Sequence, residues 1–241
     1  MHRLLAVLIA LDFTLAAGAL QGQSAHERDP APIPLDIGTT WVYKGTVWWT
    51  PRIGRAIYKE RVTWAVEVAD TIMRGNVRAA VLKGNPQDLA WLDRERLPSE
   101  YLLVQVGGTR LYLLGGERAL QAERRLRDPR DALVELVRES ELLLDLPLRP
   151  GKRFCGADQI TRSDAYYCWV VESETPADLR PVRGAEAGGE HTLYTVTLRT
   201  AGEHHVWGFV PGVGFTSYAF GHHGTVAAVE VDLVELRVPA P

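Results

Sequence analysis

From Arg61 to Val68 the chain alternates, with Val62, Trp64, Val66 and Val68 on one parity and Arg61, Thr63, Ala65 and Glu67 on the other. Successive side chains of a strand leave opposite faces, so this pattern predicts a strand with one buried and one wet face. Thr39 to Trp49 reads the same way, with Trp41, Tyr43, Val47 and Trp49 on a shared face. Further strands are expected at 77–82, 101–106, 110–114, 142–146, 166–172, 192–200, 204–210, 215–220 and 225–238. Gly107-Gly108 and Ala201-Gly202 stand where tight hairpins should turn. Regular strand spacing of this kind predicts a mainly β chain: a strongly curved antiparallel sheet, as a half-barrel or an open barrel or sandwich, with one or two short helices.

Asp128-Pro129-Arg130-Asp131 breaks the alternation and reads as a helix start, with Ala132, Leu133, Leu136 and Val137 following at helical spacing. The charged stretch 117–127 is a second helical candidate, on the surface. Residues 176–189, rich in Pro, Gly and Ala, are expected to form a mobile loop. One motif occurs twice. Pro34-Leu35-Asp36-Ile37-Gly38-Thr39-Thr40-Trp41 and Pro147-Leu148-Arg149-Pro150-Gly151-Lys152-Arg153-Phe154 share P-L-x-x-G-x-x-aromatic. Either each copy turns the chain into the first strand of one of two equivalent halves, or a common turn is simply used twice.

The N-terminus adds a compartment. Met1-His2-Arg3 precedes an apolar run from Leu4 to Leu11, with small residues around Ala17-Gly18-Ala19, which is the layout of a secretory signal peptide. Cleavage after Ala19 or after Ala25 fits. Asp12 argues against reading the run as a membrane span, and no cysteine near the cleavage region offers a lipid-anchor site. The expected organisation is a signal peptide at 1–25, a flexible lead-in at 26–33 and a single β-rich domain at 34–241, exported to the periplasm or secreted. The chain is 46% apolar and 24% charged, with a net charge of −3, which fits a folded domain and excludes a disordered chain or a dedicated nucleic-acid binder.

The start P-L-x-x-G-x-x-W-V-Y, the mid-chain P-L-x-x-G-x-x-F, and the late Trp207, Pro211-Gly212-Val213-Gly214 and His222-His223-Gly224-Thr225 resemble a group of uncharacterised exported bacterial β-rich proteins. The resemblance implies a curved antiparallel sheet similar in kind to the half-barrels of envelope lipoprotein carriers. It brings no activity and no functional residue with it.

Three groups carry candidate chemistry. Cys155 and Cys168, a lone pair in an exported chain, are expected to form a disulfide. Five of the seven histidines fall between 191 and 223, as His191, His204-His205 and His222-His223. A hairpin turning at 211–214 would bring His204, His205, His222 and His223 to one end, beside Glu203, as possible ligands for a divalent transition metal such as zinc, copper or nickel. Adjacent strand residues point to opposite faces, however, so each face receives about one histidine from each pair and needs Glu203 or His191 to complete it. The third group is aromatic. Trp48, Trp49 and Tyr58 could line a cleft for an apolar ligand; buried, they would be ordinary core, and Trp48 is the one alternation sends away from it. No nucleophile elbow, zinc-protease motif, phosphate loop or dinucleotide fingerprint is present, so nothing announces an enzyme. The function expected is a binding or carrier module for a lipid or other apolar or amphipathic small molecule. An envelope structural or interaction protein is the first alternative, and a metal-dependent enzyme using the His204/His222 cluster is the second.

Overall fold

The computed structural model describes residues 32–50, 56–90, 97–156, 160–186, 188–224 and 226–240. The expected signal peptide and most of the expected lead-in lie outside them. The last two lead-in residues belong to the folded unit: Ile33 is buried in the core, and the Pro32 carbonyl accepts the Gly212 N–H.

Twelve antiparallel strands form one sheet: β1 (Thr40–Trp49), β2 (Tyr58–Arg74), β3 (Val77–Lys83), β4 (Glu100–Val106), β5 (Arg110–Gly115), β6 (Leu142–Asp145), β7 (Arg153–Phe154), β8 (Trp169–Pro176), β9 (Thr192–Arg199), β10 (Glu203–Val210), β11 (Gly214–His222) and β12 (Ala227–Arg237). The strand order is β6-β5-β4-β3-β2-β1-β12-β11-β10-β9-β8-β7, so the sheet comprises two six-strand meanders joined by the β1–β12 pair. Edge strands β6 and β7 come together, and the sheet is a nearly closed barrel rather than a half-barrel. Only this seam lacks a ladder among the described residues.

Both meanders begin with the repeated motif, and the two copies are structurally equivalent. Leu35 and Trp41 in the first, and Leu148 and Phe154 in the second, are buried, while Gly38 and Gly151 sit at φ +89° and +81°. The Gly38 N–H donates to the Val68 carbonyl at 2.8 Å and the Val68 N–H to the Thr39 carbonyl at 2.9 Å. In the second copy the Gly151 N–H donates to the Val171 carbonyl at 2.8 Å and the Val171 N–H to the Lys152 carbonyl at 2.9 Å. A β-bulge follows that valine in each partner strand. The same turn therefore performs the same task twice: a left-handed glycine redirects the chain, and an aromatic three residues on anchors the new strand.

Of the two helical candidates, the upstream one at 117–127 forms and the one starting at Asp128 does not. Helix α1 is Gly116–Arg127, and 128–138 is irregular. Ala119, Ala122 and Leu126 form the buried stripe of α1, which packs on the outer face of the β2–β5 region, while Arg124, Arg125 and Arg127 place cations at its C-terminal end. Pro129 stops the helix. Asp128 and Asp131 then serve the loop rather than a new helix. Arg125 binds the Asp131 carboxylate through Nε and Nη2 at 2.8 and 3.0 Å, and Arg74 donates to the carbonyls of Arg125, Pro129 and Asp131. Leu133 and Glu135 adopt positive φ, which no helix allows. The loop expected to be mobile at 176–189 is also packed where it is described. Leu179 and Val182 are buried, and Arg183 exchanges backbone hydrogen bonds with Val234 and Leu236 beyond the point where β11 parts from β12.

Candidate functional site

The barrel interior is filled from its own walls. Trp41 and Tyr43 of β1 face Trp207 of β10 and Phe215 of β11. The polar ends of the two β1 side chains are satisfied by backbone: Trp41 Nε1–H donates to the Val213 carbonyl at 2.7 Å and the Tyr43 hydroxyl to the Phe215 carbonyl at 2.8 Å. A short 3-10 turn, Pro86–Leu89, enters from the end of β3 and meets β11. Gly84 makes that entry possible, at φ +84°, because a Cβ there would stand 2.5 Å from the Ala65 carbonyl oxygen. The cavity these residues line holds about 30 Å³, space for a water molecule. Pockets for small ligands are ten or more times larger, roughly 300 Å³ and up. The interior is core.

A polar chain runs along one part of this inner wall. The register expected for the late hairpin holds, with Glu203 opposite His222 and His204 opposite Gly221. Alternation then sends His205 inward and His204 to the other face. His205 Nδ1 lies 3.1 Å from the Tyr218 hydroxyl and its Nε2 3.4 Å from a Glu203 carboxylate oxygen. A neutral imidazole fits both: Nε2–H donates to the carboxylate and the phenol donates to Nδ1. Burial pushes the His205 pKa below the ordinary histidine value, against the opposing pull of Glu203. Burial raises the Tyr218 hydroxyl well above the tyrosine range, with Glu203 and Tyr101 adding to it. Tyr101 in turn donates to Asp88 at 2.8 Å, and Asp88 also accepts the N–H groups of Asn85 and Ser99 at 3.0 and 3.3 Å. Neither Tyr218 nor Asp88 stands out by sequence alone. Asn85-Pro86-Gln87-Asp88 does carry a recognisable signal, a capping residue, a proline and an acid at the third helical position.

His204 and His191 lie away from this polar chain. His204 on the opposite face is close to Arg199, His223 and Glu172, and burial, before those charges, pushes its pKa down. His191 precedes β9 at the end away from Arg199, the cross-strand partner of His204, so roughly 25 Å of strand separates them. Among the described residues no group of three His, Cys, Asp or Glu side chains is arranged to hold a metal ion. The aromatic trio sits at the tip of the β1–β2 hairpin. Trp49 stacks on Tyr58 with ring centroids 5.5 Å apart, and Trp48, on the face away from the core, lies under the Lys59 ammonium at 5.1 Å. None of the three lines the grooves described here.

A groove of about 480 Å³ opens where the two ends of the sheet meet. Its apolar wall is Leu142 of β6, Trp169 of β8 and Leu198 of β9, with Tyr167 beside them; Arg138 and Ser140 stand on the rim. The expected disulfide joins Cys155 to Cys168 and forms part of this wall. Leu198 pairs across the ladders with both Trp169 and His205, so the groove abuts the polar chain of the inner wall. Of the other grooves, one of about 400 Å³ between α1 and the sheet is lined by Glu100 and Glu123, and one of about 740 Å³ around His191 is shallower and more polar.

No protein-family model and no curated protein sequence matches the chain. Two crystal structures share its general arrangement. One, from Bacteroides fragilis, is provisionally described as an exported protein with a YmcC-like fold; it is 7% identical, with a TM-score of 0.42 over 87% of this chain and 100% of that one. The other, from Parabacteroides distasonis, is provisionally described as a lipoprotein; it is 11% identical, with a TM-score of 0.36 over 86% of this chain and 99% of that one.

Proposed function

We propose that this chain is an exported binding or carrier module that holds an apolar or amphipathic molecule in the groove at the β6/β7 seam. The observation that carries the reading is the groove itself. Aromatic and aliphatic side chains from three strands meet a polar rim at the one junction where the sheet is not laddered. The packed interior directs the ligand to the seam, in contrast to carriers that enclose their cargo. The N-terminal signal layout and the Cys155–Cys168 disulfide support an oxidising compartment outside the cytoplasm. No helix among the described residues is long and apolar enough to cross a membrane. The alternative of an interaction protein that recruits a partner strand has less to work with. The sheet edges β6 and β7 are four and two residues long and face each other.

The test is to purify the protein from its exported fraction and analyse solvent-extracted small molecules by mass spectrometry, beside Ser140→Trp, whose indole would fill the groove from the exposed rim. A molecule recovered with the wild type and lost with the variant supports the reading. Nothing recovered, together with no binding of an apolar fluorophore, overturns it.

A further inference from the structure

We infer that the ligand of the seam groove carries an anionic head, carboxylate or phosphate, and that Arg138 binds it. The inference rests on the binding reading above and deepens it. The charges around the groove are mostly paired. Glu139 holds Arg110 at 2.5 Å, Glu141 is gripped by Arg118 at 2.7 and 3.0 Å, Arg162 binds Asp164, and Lys152 binds Asp145. Arg138 differs. It lines the groove, is exposed, and makes no ion pair among the described residues. Its backbone N–H, not its guanidinium, is bonded to the Glu141 carboxylate at 2.8 Å, and the Arg118 fork already engages both oxygens of that carboxylate.

The rim therefore presents one cation whose guanidinium makes no ion pair and feels the Glu141 charge only at a distance, on a backbone fixed by its bond to Glu141, above a wall of Leu142, Trp169 and Leu198. A guanidinium fork suits a planar carboxylate or a phosphate and gives short charge-assisted bonds. An uncharged ligand would leave that cation without a partner. A cationic one would meet it in repulsion, because the carboxylates of Glu139 and Glu141 are already taken.

The experiment titrates the wild type and Arg138→Gln with a dansyl-labelled undecanoic acid and with its uncharged methyl ester, reading dansyl emission; melting curves check that the variant is folded. The expected result is that the wild type binds the acid about tenfold more tightly than the ester, an increment typical of one charge-assisted contact, and that Arg138→Gln removes this preference and leaves the ester unchanged. Equal binding of acid and ester by the wild type, or a preference that survives in Arg138→Gln, overturns the anionic head and leaves the groove standing. Failure of both probes to bind the wild type overturns the groove and the inference with it. Competition by decanoate against decyl phosphate then separates the two head groups, since the tighter competitor names the anion.

Discussion

Gly38→Ala and Gly151→Ala should destabilise the protein alike, because the two glycines perform one task at the start of each meander. Both sit in the left-handed region, at φ +89° and +81°. An L-residue there costs about 1–2 kcal/mol relative to glycine, and the stiffer unfolded chain returns a few tenths to 1 kcal/mol of that. A Cβ on Gly151 would meet nothing within 4 Å, so backbone strain alone sets its cost, about 1 kcal/mol. A Cβ on Gly38 would press the Pro239 ring at 3.3 Å, which adds to the same strain. Gly221→Ala is the control: it too has open space around its Cβ but no left-handed φ, and it should be neutral or slightly stabilising. Urea unfolding followed by tryptophan emission gives each value, and thermal melting should show Gly151→Ala lower by roughly 2–4 °C for a chain of this size. The double variant should be additive within about 0.5 kcal/mol, because the two sites lie in separate turns. If Gly151→Ala matched Gly221→Ala, the turn would not depend on a left-handed residue, and the structural equivalence of the two motifs would lose its physical basis.

Two further outcomes are expected. Replacing Cys155 and Cys168 together by serine should lower stability by about 3 kcal/mol under non-reducing conditions, the chain-entropy value for a separation of 13 residues, read as a lower urea midpoint; an unchanged midpoint would show that the bridge constrains nothing. The folded-state pKa of His205 is below its ordinary value of 6.5, so the unfolded chain takes up the proton first. Stability from this group is complete above pH 6.5 and declines as pH falls from there toward the folded pKa, and His205→Gln should flatten that part of the urea-midpoint profile between pH 7.5 and 5.5.

Strands β1, β2 and β12 were legible because each has one wet face. From Val62 to Val68 the alternation names both the element and its buried side, and the late hairpin register follows from a single turn at 211–214. The helical candidate at 117–127 forms, and the one starting at Asp128 does not, for a reason that can be stated. Asp128-Pro129 resembles a helix start, but an acid before a proline also ends a helix, and the deciding partners, Arg74 and Arg125, bind across the fold. Strand β7 has two residues, too short for any periodicity to show. The seam groove is invisible in the sequence because its wall comes from three distant stretches, around Arg138 and Leu142, Trp169, and Leu198, that meet only when the barrel closes. The late histidines were legible as a pairing but not as a site: the sheet sends His204 and His205 to opposite faces, and β11 ends at His222.

The β1–β12 ladder sets the order of events in the life of the chain. It pairs Thr40 with Arg237 and Trp49 with Ala227, residues near opposite ends of the sequence. Each six-strand meander can zip locally, but the two unite only after the last strand has been synthesised, so the contact that completes the barrel has the highest loop-closure cost and comes late.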